Sequence, residues 1–223
     1  MRTSRTTRLP SATASGTHRR RPCRAGLAAI VAVALQALGG AAMAADPAVR
    51  GEEIVQGKCF ICHGAAGESS SPVFPRLAGQ NAAYVSRQLA DYRSGKRKST
   101  TMQPMVEDLS PDDFKALGAF FAAQPTIVHP IADPELAQMG RFIYMRGNPY
   151  SGVAACSTCH GPQAHGTETL PRLAGQHAQY TENQLKQFNT RERNNDNAVM
   201  HGIASKLTEL EAKAVAAYLS GLK

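Results

Sequence analysis

Outside two short motifs the sequence is almost without cysteine: of its five, four stand at positions 59, 62, 156 and 159, and the fifth is Cys23. No thiol is left over for a structural disulfide. Acid is absent from the N-terminus, where residues 1–24 hold seven arginines and neither Asp nor Glu. An apolar run, Ala25 to Leu38, follows and ends in Ala42-Met43-Ala44. A basic stretch, a short apolar run and a small-x-small step together read as a secretory signal cleaved after Ala44. The run is too short for a comfortable membrane span, and the arginines at 19–21 lack the rest of a twin-arginine consensus, so residues 1–44 are expected to leave by the general secretory route. Cys23 precedes the apolar run and leaves with them.

Net charge then disappears. Removing seven arginines from 25 basic residues leaves 18 against 17 acidic ones, which turns +8 into +1. The basic balance belongs to the export segment and gives no reason to expect a nucleic-acid partner. No segment past residue 44 could span a bilayer, which leaves only peripheral membrane association open. None alternates apolar and polar residues over a strand's length, so the fold class is all-α.

The cysteines that remain are arranged twice in the same way, as Cys59-Phe60-Ile61-Cys62-His63 and, 97 residues on, Cys156-Ser157-Thr158-Cys159-His160. Cys-x-x-Cys-His is the attachment signature of c-type haem. Both thiols must reach vinyl groups at one edge of the porphyrin while the imidazole reaches the iron, so the spacing is short and the His immediate. A zinc site would want a second Cys pair roughly 15–20 residues away or a close His pair, and a redox dithiol would want a βαβ setting. Neither is present. Cys59, Cys62, Cys156 and Cys159 are therefore expected to hold two covalent haem c groups, with His63 and His160 as axial ligands of the irons.

The motifs belong to an internal duplication. Residues Pro75 to Tyr84 match Pro171 to Tyr180 at eight of ten positions, and Gln88 and Leu89 then match Gln184 and Leu185. The halves are placed at 45–124 and 133–223, joined by a linker, 125–132, that carries two prolines and no helical period. Each half is only about 80–90 residues, small for an apolar core alone, and a buried haem would supply missing apolar mass. Each reads as first helix, haem loop, middle helix, methionine loop and last helix. The first helices are expected near Ala48–Gly57 and Pro134–Met145, with Asp133 as a cap before a first-turn proline. The middle helices are expected at Ala82–Arg93 and Ala178–Asn189. Ser110 to Asp113 and Thr208 to Glu211 are capping patterns that open the last helices. Gly51 and Gly140, mid-helix, each mark a close crossing against a last helix. The stretch Gly147 to Gly152 has no counterpart in the first half and no evident place.

The face of each iron opposite its histidine decides between ligand chemistry and electron transfer. Met102 and Met105 precede the last helix of the first half, and Met200 that of the second. Met102 lies seven residues before Leu109 and Met200 seven before Leu207, whereas Met105 aligns with Ile203. Register selects Met102 and Met200 as sixth ligands. The competing histidines past residue 44, His129, His165, His177 and His201, read as hydrogen-bonding or surface residues. A backbone carbonyl near Pro75 and Pro171 is expected to accept from each axial imidazole. Arg76 and Arg172 are candidates for pairing with haem propionates, and the basic run Arg93–Lys98 reads as a solvated loop.

The two Cys-x-x-Cys-His motifs, the repeated Pro-Arg-Leu-Ala-Gly-Gln segments and the methionines before the last helices together resemble the cytochrome c4 family over the whole chain past residue 44. The resemblance implies two tandem cytochrome c domains about a pseudo-two-fold axis, in the periplasm. It also implies an electron carrier rather than an enzyme, with redox proteins as partners: a quinol-oxidising complex or other donor, and a terminal oxidase or other acceptor. The alternatives from another class are the haem-bearing subunit of a dehydrogenase complex and a di-haem peroxidase. Matched methionines and the short chain speak against the peroxidase.

Overall fold

A computed structural model describes residues 46–223. The expected signal segment, 1–44, lies outside the described residues. The first half contains α1 (Pro47–Ile54), which widens into a π-helical stretch at Val55–Cys59, then α2 (Phe60–His63), α3 (Ala82–Arg93), α4 (Met102–Val106) and α5 (Pro111–Ala123). The second half repeats the order as α6 (Pro134–Arg146), α7 (Ser157–His160), α8 (Ala178–Asn189), α9 (Val199–Ala204) and α10 (Glu209–Ser220). The described residues are helical; their single β contact is an isolated bridge between Asn148 and Val153. No described helix is long and apolar enough to cross a membrane.

Local chemistry starts these helices where the sequence placed the caps. Ser110 accepts from the Asp113 N–H at 3.1 Å while Asp113 returns a bond to the Ser110 N–H at 2.9 Å, and Thr208 and Glu211 repeat the box. Asp133 caps α6 through the Leu136 N–H, with Pro134 in the first turn, where its missing N–H costs nothing.

In each half the first and last helices cross where a glycine removes the side chain. A Cβ on Gly51 would meet the Ala116 carbonyl oxygen and, at 2.7 Å, Phe120 Cβ; one on Gly140 would meet the Ala214 carbonyl oxygen. Each crossing seats an apolar core. Val55, Val106, Phe114, Leu117 and Phe121 fill the first, and Ile143, Tyr144, Val153, Val215 and Leu219 the second.

The halves differ in two loops. From the crossing glycine to the first motif cysteine the second half is eight residues longer (Gly51 to Cys59 against Gly140 to Cys156). The excess forms a short hairpin, closed by two bonds between Asn148 and Val153, whose tip, Tyr150, is 99 % exposed. Gly147 and Gly152 flank it at φ 71°, a left-handed conformation that suits residues without a Cβ. This is where the unassigned stretch Gly147 to Gly152 belongs. The methionine loops, read as irregular from the sequence, each carry a short helix, α4 or α9.

Candidate functional site

His63 and His160 close the single helical turns α2 and α7, and each is followed by a glycine at φ 77° that turns the chain away. Both imidazoles are buried, 5 % and 8 % exposed. Burial, the largest effect, lowers both pKa values despite an opposing backbone hydrogen bond, so each ring is neutral at neutral pH. Nδ1 of His63 stands 2.9 Å from the Pro75 carbonyl oxygen, and Nδ1 of His160 stands 3.5 Å from that of Pro171. A carbonyl only accepts, so Nδ1 carries the proton and Nε2 keeps the lone pair that an iron requires.

The thiols fit the same purpose. Among the described residues the four cysteines form no disulfide. Burial pushes Cys59 and Cys156 up to about 11, so neither is a thiolate poised for zinc or for disulfide exchange. Nor do three or more His, Cys, Asp or Glu side chains converge on a metal-sized site among the described residues. Tyr144, fully buried, donates to the Gly161 carbonyl at 2.6 Å and so braces the backbone just past His160. In the first half Ser69 does similar work, donating to the Cys62 carbonyl at 2.9 Å.

Met102 opens α4, half-buried against the first core, and its N–H is held by Ser99 Oγ at 3.1 Å. Met105, the competing residue, is 43 % exposed. Met200 lies half-buried in the first turn of α9, its N–H held by the Asp196 carboxylate. The second methionine loop is two residues longer between Arg193 and Met200 than between Arg97 and Met102, and Asn197 and Ala198 there adopt φ 56° and 67°. Ser99 and Asp196 were not legible as anchors, because they occupy different registers in the two loops.

Among the described residues the four other histidines have hydrogen-bond partners: His129 on Glu68, His165 on the Lys223 carbonyl, His177 on the Ser69 carbonyl and His201 on the Phe188 carbonyl. Arg76 and Arg172 lie half-buried between the halves. The backbone of each is bonded to a glutamine of the other half, yet the Nε of each is buried without a hydrogen bond. Arg76 Nε is 3.4 Å from Glu68 but poorly aligned. Two buried cationic N–H groups that still lack an acceptor fit the propionate carboxylates of haem. The basic run is corrected by the structure. Arg97, 6 % exposed, is buried between the halves rather than solvated, and Arg93 covers the Phe114 ring and donates to the Leu109 carbonyl.

Comparison with known proteins gives the same answer. Residues 145–223 match the family Cytochrome c, and residues 46–121 match Cytochrome C oxidase, cbb3-type, subunit III. A cytochrome c4 from Thiocapsa roseopersicina is 43 % identical over 176 residues, 77 % of this chain and 91 % of that protein. The chain belongs to the cytochrome c4 family. The crystal structure of reduced recombinant cytochrome c4 from Pseudomonas stutzeri superposes with a TM-score of 0.74 at 36 % identity, covering 79 % of this chain and 98 % of that one. A thiosulfate dehydrogenase electron acceptor from Stutzerimonas stutzeri strain A1501 is 36 % identical over 176 residues, 74 % of this chain and 78 % of that protein. As a member of the cytochrome c4 family, the protein is an electron carrier with two cytochrome c domains and two covalent haem c groups.

Proposed function

We propose that His63 and Met102 ligate the iron of the first haem and His160 and Met200 that of the second, with thioether bonds to Cys59 and Cys62 and to Cys156 and Cys159. The pair of neutral, carbonyl-anchored histidines carries this reading, because each offers a bare Nε2 directly after two motif cysteines. Haem supplies the one-electron couple. The chain's own residues would fix how easily it turns over: with His and Met both bound, no iron position would be left for a substrate, and a soft thioether would raise the potential relative to two histidines. Arg76 and Arg172 would hold the propionate carboxylates through their unpaired Nε groups.

The domains divide at 45–124 and 133–223, the chain is cut after Ala44 and exported, and the protein works in the periplasm. There it carries electrons one at a time from a quinol-oxidising complex or other donor towards a terminal oxidase. A second reading draws on the relatives that are themselves named thiosulfate dehydrogenase electron acceptors. In that reading the donor is a dehydrogenase to which this chain docks.

The test is an absorption spectrum of the exported protein with a haemochrome count, repeated for Met102→Ala, Met105→Ala and Met200→Ala. Two haems per chain are expected, with a far-red sulfur-to-iron band that Met102→Ala and Met200→Ala each halve. Loss of that band in Met105→Ala instead would overturn the ligand assignment. Reduction of the purified protein by a quinol-oxidising complex or by a thiosulfate dehydrogenase distinguishes the two donors.

A further inference from the structure

The peptide group that anchors each proximal histidine is itself gripped by the other half. In the Pro75–Arg76 peptide the carbonyl faces His63 Nδ1 at 2.9 Å, while the N–H donates to Gln176 Oε1 at 2.9 Å. Gln176 Nε2 donates in turn to the Arg76 carbonyl at 2.9 Å, so the glutamine clamps that backbone at two points. The mirror arrangement holds the Pro171–Arg172 peptide: its carbonyl faces His160 Nδ1, its N–H donates to Gln80 Oε1 at 2.8 Å, and Gln80 Nε2 donates to the Arg172 carbonyl at 2.9 Å. Gln80 and Gln176 are 6 % and 7 % exposed, so water does not compete for these bonds.

Hydrogen bonds in a chain polarise one another. An acceptor at a peptide N–H moves electron density onto that peptide's carbonyl oxygen and makes it a stronger acceptor. A stronger acceptor at Nδ1 gives the imidazole more anionic character and makes Nε2 a better donor, which favours the oxidised iron. We propose that Gln176 and Gln80 are cross-domain positioning residues, each setting the donor strength of the other half's haem histidine through the Pro-Arg peptide. The first haem's potential is then partly written in the second domain, and the reverse. The shorter contact at His63 makes the Gln176 arm the stronger of the two.

This rests on His63 and His160 being the axial ligands, and the measurements separate the two claims. The full haem-loaded protein is compared with Gln176→Leu and Gln80→Leu. The potential of each haem is measured by spectroelectrochemistry, and the Nδ1–H proton signals of both histidines by NMR in the reduced state. A parent protein without His/Met spectral signatures would sink the ligand assignment. With those signatures present, Gln176→Leu is expected to raise the ratio of reduced to oxidised first haem at fixed potential by roughly two- to tenfold, the scale of a fractional change in one buried hydrogen bond. The His63 Nδ1–H signal moves with it, and the second haem stays put. Gln80→Leu moves the second haem alone, and less. Equal shifts in both haems, no shift in either, or unmoved Nδ1–H signals overturn the proposal and leave the glutamines as domain fasteners. If Gln176→Leu fails to load haem, Gln176→Glu serves instead. Its charged acceptor is expected to lower the first haem's potential selectively, and an equal fall at both haems overturns the proposal.

Discussion

Arg97 donates to the Tyr180 hydroxyl at 3.0 Å, and Arg193 repeats the contact with the halves exchanged, donating to the Tyr84 hydroxyl at 2.9 Å. Gln88 and Gln184 complete the figure, since each side-chain oxygen accepts from both guanidinium groups at 2.7–3.1 Å. The duplication has made an interface that is complementary to itself, polar and buried. Burial alone would raise the Tyr84 hydroxyl pKa, but Arg193 and Arg97 outweigh it and hold it below the ordinary phenol value. Such a network is costly to leave half-made and specific when complete.

Arg97→Ala therefore destabilises the haem-loaded protein by about 2–4 kcal/mol, because it strips donors from buried acceptors in both halves. Arg97→Lys does not restore the loss, since an ammonium cannot span Gln88, Tyr180 and Gln184 as the planar guanidinium does. Denaturant unfolding checks both. A double-mutant cycle with Tyr180→Phe gives a coupling of roughly 0.5–3 kcal/mol if the contact is as described.

Gly140→Ala tests the helix crossing of the second half. The added methyl meets the backbone oxygen of Ala214, which cannot rotate away as a side-chain tip would. Overpacking of this kind costs about 1–3 kcal/mol, and α6 and α10 must separate to relieve it. A fall in thermal midpoint is expected for Gly140→Ala and for Gly51→Ala. An unchanged midpoint in either would mean the crossing is looser than drawn.

The sequence announced these glycines because a helix interior seldom tolerates one without a packing reason, and it announced the helix starts because capping is local chemistry. Both middle helices fall at the expected limits, Ala82–Arg93 and Ala178–Asn189. Arg97 went unread for the opposite reason. A short basic run looks solvated until its repeat partner Arg193 is seen to be its counterpart across an interface. Gln80 and Gln176 stand within the repeated segment, yet nothing local distinguishes a glutamine that bonds its own loop from one that bonds the other half.

Acid should weaken the start of α5 in a defined window. The Arg50 guanidinium, and then the Ser110 N–H, hold the Asp113 carboxyl at about 2, below its ordinary value of 3.8. A depressed pKa means the stabilisation is complete above the ordinary value and is lost as pH falls from there towards 2. Asp113→Asn should cost about 1 kcal/mol at neutral pH through the lost cap, with little from the half-exposed Arg50 pair. Its midpoint should also flatten below pH 4 relative to the parent. Parallel profiles would show that Asp113 is not held low.

His177 offers a second window, nearer neutrality. Its Nε2 donates across the interface to the Ser69 carbonyl at 2.8 Å, and Ser69 in turn holds the Cys62 carbonyl, so this ring helps fasten the first haem loop from the second half. Burial, the largest cause, lowers its pKa below 6.5; Arg76 and His129 push the same way, while the Ser69 bond and Glu68 oppose them. The folded state therefore resists a proton that the unfolded chain accepts. Stability is complete above about pH 6.5 and declines as pH falls below it. His63 and His160 shift in the same direction, but as proposed iron ligands they do not titrate in the loaded protein. The repeat supplies the right control. Asn81, the counterpart of His177, makes equivalent bonds to the His165 and Leu170 carbonyls without a titratable ring. His177→Asn should keep an interface bond and lose the pH dependence, so its thermal midpoint should fall less than the parent's between pH 7 and pH 5. Superimposable curves would assign the acid sensitivity elsewhere and leave His177 as a neutral tether.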